Sequence, residues 1–175
     1  SSGDQCWVQE HLRSTQYANG DAIPQIQNEA DWNNTGQGAY SLYDGDTALA
    51  SVYGLLYNWT VTADPRGACP TGWSVASEWE WNELNNTVGG STVAGGTLKE
   101  AGTTHWSSPN TGATNSSGFT ALPAGERSFG GAGFTGLGTD AYFWTSSSSG
   151  SAARSVRLYH NDDALTISSI SSQRG

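Results

Sequence analysis

Basic residues are scarce in this chain. Its 175 residues include only seven Lys and Arg together, against 16 Asp and Glu, so the formal net charge is −9. Lys99 is the only lysine. Binding to a nucleic-acid backbone needs clustered cations that displace counterions from phosphates, and this composition therefore argues against a nucleic-acid partner. The acidity instead suits solubility and the attraction of divalent cations.

Long apolar runs are also missing. No run approaches the roughly 20 residues that would span a bilayer, so we expect no membrane span. The chain opens on Ser-Ser-Gly without Met or a secretory leader. We therefore expect a mature or excised piece of an exported protein.

Cysteine is limited to Cys6 and Cys69. Neither lies in the spacing that metal or redox sites use, so that chemistry is not indicated. Two interpretations stay open, a disulfide or two buried thiols, and export from the cell favours the disulfide.

Glycine and large aromatic rings are abundant. The 23 Gly, together with many Ser, Thr and Asn, favour a loop-rich fold. Eight Trp, seven Tyr and four Phe argue against disorder and concentrate burial in large rings. We expect most of the tryptophans in the core, and the length suits one domain.

The sequence contains the N-terminal capping signal of one helix. Ser77 and Glu80 have the spacing of a capping box, in which each side chain binds the other residue's backbone amide. Trp81 and Leu84 follow on one face. The sequence therefore predicts a helix over 77–87. Trp79 lies two positions from Trp81, off that face, and is the ring most suited to exposure or to a partner.

Other elements follow from alternation, turn residues and short periodic runs. We predict strands or strand–turn segments at 5–13, 39–46 and 142–146, and a short helix around Trp32 at 28–33. An Asn-Gly turn is expected at 19–20 and a flexible Gly-rich loop at 128–139. A C-terminal hairpin is expected at 155–168, with its turn at 161–163.

Several separated motifs occur in one order along the whole chain. They are Gln-Cys-Trp-Val-Gln-Glu-His-Leu-Arg at 5–13, Tyr-Gly-Leu-Leu-Tyr-Asn-Trp at 53–59, Cys-Pro-Thr-Gly-Trp followed by Glu-Trp at 69–79, Leu-Lys-Glu at 98–100 with His-Trp at 105–106, and Phe-Thr-Ala-Leu-Pro at 119–123. Together they resemble the Fibrobacter succinogenes major paralogous domain of bacterial surface and phage-associated proteins. His11 stands where that family usually has Asn.

This resemblance implies a C-type-lectin-like α+β fold, with small antiparallel sheets, a few short helices and long loops. We expect one such domain over 1–175. Members of the family usually continue into a further strand carrying another Cys, so we expect this chain to lack its final strand. The related formylglycine-generating enzymes use a C-terminal cysteine pair with copper. No Cys follows Cys69, and we expect no enzymatic activity of that type.

Ligand binding is expected at the C-terminal hairpin, the region that related lectin-fold proteins diversify for ligand choice. It mixes Arg and Tyr with adaptable polar groups, a composition typical of recognition surfaces. A solvated hairpin face is the alternative. The candidate ligand-binding residues are Arg154, Arg157, Tyr159, His160, Asn161 and Asp163.

Metal and catalytic sites are less strongly indicated. Calcium prefers oxygen ligands, which Asp44 and Asp46 offer on a Gly turn and 161–163 offers at the hairpin tip. Local Asx-turns are the favoured alternative at both places. His105 suits hydrogen bonds that fix a loop better than a catalytic triad, for which the sequence shows no nucleophile motif.

The expected role is an extracellular or cell-surface module of a bacterium that recognises a glycan or a surface protein. The alternative is a structural subunit of a surface filament or phage fibre, which would associate with its own copies.

Overall fold

The computed structural model describes residues 5–130 and 133–170. Its helices are α1 Glu29–Asn34, α2 Thr47–Tyr53, α3 Trp59–Ala63, α4 Glu78–Thr87 and α5 Ala94–Leu98, with a 3-10 turn at Tyr43–Gly45. Its strands are β1 Tyr40–Ser41, β2 Leu56–Tyr57, β3 Ala124–Arg127, β4 Phe134–Leu137, β5 Asp140–Ser149, β6 Ala152–Tyr159 and β7 Thr166–Ile170. None of the helices in these ranges is long and apolar enough to cross a bilayer.

Two sheets organise these elements. β1 and β2 form a short antiparallel pair, and the larger sheet has the order β4-β3-β5-β6-β7. β3 and β5 run parallel, paired at Gly125 and Ala141. The fold is therefore α+β as predicted, but the larger sheet is mixed rather than wholly antiparallel.

Helix α4 confirms its sequence signal. Ser77 Oγ accepts from the amide of Glu80, and the Glu80 carboxylate accepts from the amide of Ser77 at 2.7 Å. Trp81 is buried on the inner face, whereas Trp79 is 68% exposed. The predicted short helix near 28–33 is α1, and its Trp32 is fully buried.

One apolar cluster lies between the larger sheet and the helices α4 and α5. Its buried members include Trp81, Leu98, Trp106, Val156 and Leu158. Full burial of one such aliphatic side chain contributes about 1.5–3 kcal/mol. This cluster therefore fixes which face of β6 points inward.

A second cluster surrounds the small sheet and includes Tyr17, Ile23, Tyr40, Tyr57 and Val61. Two indole groups join it to the larger sheet. Trp144 Nε1 donates to the carbonyl of Tyr57 at 2.7 Å, and Trp59 Nε1 donates to the carbonyl of Thr145 at 3.0 Å.

Three predicted elements need correction. Residues 5–13 are not a strand: within the described chain their one backbone–backbone hydrogen bond runs from the amide of Leu55 to the carbonyl of Leu12. Most of 39–46 is a 3-10 turn and a helix cap, with only Tyr40–Ser41 in a strand. The Gly-rich loop at 128–139 contains β4, which pairs with β3; residues 131 and 132 lie outside the described chain.

The C-terminal hairpin forms as predicted, with β6 and β7 antiparallel and Arg157 opposite Thr166. The expectation of a missing final strand concerns the end of the chain, where residues 171–175 lie outside the described region.

Candidate functional site

The outer face of the larger sheet carries a clamped arginine. Alternation along β6 buries Val156 and Leu158 and sends Arg157 and Tyr159 to the other face. In register, Tyr142 lies opposite Arg157, and Asp140 lies opposite Tyr159. We call these four residues of β5 and β6 the Arg157 patch.

The guanidinium of Arg157 lies between two aromatic rings. Its central carbon is 4.0 Å from the ring centroid of Tyr159 and 4.4 Å from that of Tyr142. Arg157 Nη2 also donates to Asp140 Oδ2 at 3.1 Å. These contacts fix a long side chain that would otherwise lose much entropy on binding a ligand.

The patch is only partly shielded from solvent. The side chain of Arg157 is 28% exposed and that of Asp140 is 17% exposed. Burial raises the pKa of Tyr142 and of Tyr159, so both phenols stay protonated and available for hydrogen bonding at neutral pH. Arg157 and Asp140 neutralise each other, so the patch presents polar groups with little net charge.

Lys99 holds the neighbouring end of the hairpin. Its fully buried ammonium donates to three backbone carbonyls: Thr111 at 2.8 Å, Tyr159 at 2.8 Å and Asp162 at 2.7 Å. Burial lowers the pKa of Lys99 to about 8. The only lysine of the chain therefore fixes the backbone where β6 ends.

The remaining residues of the turn are largely engaged in local structure. His160 Nδ1 lies 3.1 Å from the carbonyl of Ser108. Asp162 Oδ1 accepts from the amide of Ala164, as in an Asx-turn. The Cβ of Asp163 packs so closely on Gly112 that a Cβ added to that glycine would lie 2.5 Å away. Asn161 is exposed.

Arg154 does not belong to this cluster. It lies an odd number of positions from Arg157 and so points to the opposite face of β6. There its guanidinium makes a bidentate contact with Glu78, with Nε–Oε2 at 2.7 Å and Nη2–Oε1 at 2.6 Å. Arg154 thus ties the sheet to the start of α4, and the same contact lowers the pKa of Glu78.

The predicted calcium ligands lie in a capped turn. Asp46 is the N-cap of α2, and its Oδ1 accepts from the amides of Ala48 and Leu49. Asp44 has a left-handed backbone with φ of 50°. Across the described residues, no group of three or more His, Cys, Asp or Glu side chains could hold a metal ion. Calcium at this turn stays a prediction.

The two cysteines are free in the structure, Cys6 exposed and Cys69 half-buried. Burial raises the pKa of the Cys69 thiol. Both thiols line one groove of about 600 Å³, between residues 5–12 and 68–76, with β5 and Trp81 at its base. Of the two interpretations that the sequence leaves open, this structure has the free thiols, and both cysteines lie beside the same groove.

His105 has a carboxylate and an aromatic ring as neighbours. Its Nδ1 lies 2.9 Å from each carboxylate oxygen of Glu100, and its ring meets Tyr53 edge-on at 5.7 Å. Two residues of the same loop region are thereby held together, which agrees with the predicted loop-fixing role.

Sequence reasoning missed Tyr142, Asp140 and Lys99 as parts of the candidate site. The two β5 residues join it only through the register with β6. The sequence offered one signal for Lys99: it is the only lysine of the chain, and it directly follows the apolar Leu98.

The fold and the patch together define a small α+β domain that displays a rigid aromatic–arginine surface on a mixed sheet. By comparison with protein families, residues 1–172 match the Fibrobacter succinogenes major domain. The chain belongs to that family. The same comparison against curated proteins and against solved structures found no match.

Proposed function

We propose that this domain is an extracellular binding module of a bacterial surface, and that the Arg157 patch contacts its ligand, a glycan or a surface protein. The observation that carries the proposal is the guanidinium clamped between Tyr142 and Tyr159 and tied to Asp140. Tyr and Arg dominate binding hot spots because they bring large contact area and several hydrogen bonds at small conformational cost.

The chemistry of the patch favours a ligand that is polar and largely uncharged. The ion pair with Asp140 offsets the charge of Arg157, which removes the attraction that a carboxylate or phosphate would feel. Phenol, carboxylate and guanidinium groups remain as hydrogen-bond partners for hydroxyls. Neutral sugars present such hydroxyls together with apolar C–H faces that pack on aromatic rings.

A C-type-lectin-like architecture is part of this proposal. The few short helices, the mixed sheet and the long loop between α5 and β3 support it. That loop is held by specific bonds: Asn110 Nδ2 donates to the carbonyls of Glu100 and Gly102, and buried Trp106 Nε1 donates to the carbonyl of Ala121. A rigid loop framework of this kind suits recognition without catalysis.

A glycan array tests the proposal. The double variant Arg157→Ala/Tyr159→Ala should bind neutral oligosaccharides about thirtyfold more weakly or worse, since a single hot-spot truncation typically costs about 2 kcal/mol. The matched control is Asn19→Ala/Asp21→Ala, which alters an exposed turn where these two side chains bond to each other. Equal signals from the two variants, with both melting as the parent does, would overturn the assignment to the patch.

A filament or fibre subunit is the second candidate, and exposed tryptophans favour it. Trp79 is 68% exposed and Trp73 is 44% exposed, so these two depart from the core position that we expected for most of the tryptophans. Exposed indoles are enriched in protein interfaces. Trp79→Ser should then reduce self-association measured by light scattering at micromolar concentration. A parent protein that stays monomeric would refute this candidate.

A further inference from the structure

The charge of the Arg157 patch is set by a carboxylate that the fold holds against the guanidinium. Asp140 Oδ2 lies 3.1 Å from Arg157 Nη2, and the side chain of Asp140 is only 17% exposed. A carboxylate is one of the anions that arginine prefers as a partner. Asp140 therefore occupies a place on the guanidinium that an anionic ligand would otherwise take.

Without Asp140, the same arginine would form a prepared anion site. Tyr142 and Tyr159 hold its guanidinium between their rings, and the side chain remains 28% exposed. The fold does not exhaust its hydrogen-bonding capacity, since Nε is buried and has no hydrogen-bond partner in the described chain. An immobilised guanidinium with donors to spare is well suited to bind carboxylate and sulfate groups.

The position of Asp140 comes from the turn between β4 and β5. Backbone bonds fix this turn from both sides: the amide of Thr139 donates to the carbonyl of Gly136 at 2.9 Å, and the amide of His160 donates to the carbonyl of Thr139 at 2.8 Å. A Cβ added to Gly136 would lie 2.9 Å from Asp140 Oδ2, so the glycine leaves the space that the carboxylate fills. The backbone thus holds the carboxylate in place together with its ion pair.

A second carboxylate acts in the same direction. Glu126 is buried on β3, the strand next to β5. Burial, and after it the charge of Glu126, raises the pKa of Tyr142. Two carboxylates therefore act on one guanidinium, and an approaching anion meets repulsion at this surface. Of the two, Asp140 makes the ion pair with Arg157.

We propose that Asp140 sets the selectivity of the Arg157 patch by excluding saccharides that carry sulfate or carboxylate groups. This inference rests on the proposed function, because it concerns the ligand of the same patch. Asp140→Asn keeps the size of the side chain and an acceptor for Arg157 but removes the charge. Acidic saccharides should bind this variant about tenfold or more strongly than they bind the parent, the order expected when one like charge at about 4 Å from the bound anion is removed.

The probes are matched pairs on one glycan array, each a neutral oligosaccharide and its sulfated form. The parent should prefer the neutral members, and Asp140→Asn should gain signal on the sulfated members. The same gain is expected for Asp140→Ser, a second neutral variant with a smaller side chain. Asp31→Asn is the matched control, because it removes one exposed carboxylate on α1 and changes the net charge equally. Signals on the sulfated members that stay at the level of the parent in both Asp140 variants would overturn the proposal.

A double variant separates the patch from the overall charge of the protein. Arg157→Ala/Asp140→Asn should lose the gain on the sulfated members, and a gain that persists there would contradict the proposal. The proposed function has a separate outcome on the same array. A parent without signal on neutral saccharides, beside a gain in Asp140→Asn, would refute neutral-glycan binding and support the role of Asp140. Neutral binding by the parent without that gain would overturn the role of Asp140 alone.

Discussion

Lys99→Met should destabilise the domain and release the end of the hairpin. The substitution keeps the length of the side chain but removes the donor shared by the carbonyls of Thr111, Tyr159 and Asp162. A buried acceptor without a partner costs about 1–3 kcal/mol. The carbonyl of Tyr159 also accepts from the amide of Asp162, so two to three carbonyls lose their donor, which at about 2 kcal/mol each costs roughly 4–6 kcal/mol.

Part of that loss is recovered, because methionine has no charge to desolvate. The pKa of Lys99 falls from 10.5 to about 8 on folding, which corresponds to about 3 kcal/mol of penalty on the charged form. The net destabilisation should then be about 2 kcal/mol, measured as a lower midpoint in urea with an unchanged slope. A variant within about 0.5 kcal/mol of the parent would refute the three-carbonyl account.

The same lysine gives a pH signature with a definite sign. Between pH 8 and pH 10.5 the unfolded chain binds the lysine proton that the folded chain has lost, so stability should rise with pH across this window. The slope is limited to about 1.4 kcal/mol per pH unit for one proton. Urea unfolding at pH 8 and pH 10 should show the rise in the parent and not in Lys99→Met.

Three further predictions concern the helix cap, the half-buried His11 and the thiols. Ser77→Ala should lower the free energy of unfolding by about 1 kcal/mol, and an unchanged melting curve would contradict the cap. Burial lowers the pKa of His11 from 6.5 to about 4, so the unfolded chain binds its proton first as pH falls. The free energy of unfolding of the parent should therefore fall by about 2.5 kcal/mol between pH 7 and pH 4.5 because of this histidine. His11→Asn should lack this contribution, and parallel pH profiles of the two proteins would refute the account. Alkylation of the unreduced protein should modify both Cys6 and Cys69 in mass spectra, whereas two unmodified cysteines would show a disulfide.

The correct predictions from sequence rest on local patterns. Ser77 and Glu80, three residues apart, predict the start of α4, and alternation around a polar turn predicts the hairpin. Both depend on neighbours within a few positions, which a sequence displays directly.

The errors arose where pairing is non-local. Residues 5–13 were predicted as a strand, but a strand needs a ladder of bonds to a partner strand, and in the described chain this segment has a single backbone–backbone hydrogen bond, from the amide of Leu55 to the carbonyl of Leu12. β4 lies in a Gly-rich stretch that looked like a loop. It pairs with β3 because residue 125 is a glycine. A Cβ on Gly125 would lie only 2.4 Å from the carbonyl oxygen of Thr135, so a larger residue at 125 would prevent the close approach of the two strands.

The sequence could have predicted in part which candidate residues lie on the same face of β6. Arg154 and Arg157 are three positions apart, and strand parity alone puts them on opposite faces. The residues that hold Arg157 in place could not have been predicted in this way. Tyr142 and Asp140 lie beside Arg157 only because of the register between β5 and β6.

Chemical-shift mapping tests the central claim, that the Arg157 patch is the recognition surface, most directly. The protein is titrated with the neutral oligosaccharide that gives the strongest array signal, and shifts are followed at tyrosine rings, arginine side chains and indole groups. The account predicts the largest changes at Tyr142, Arg157 and Tyr159, with little change at Trp73 and Trp79. Changes confined to those two tryptophans, with the patch unaltered at saturation, would contradict it.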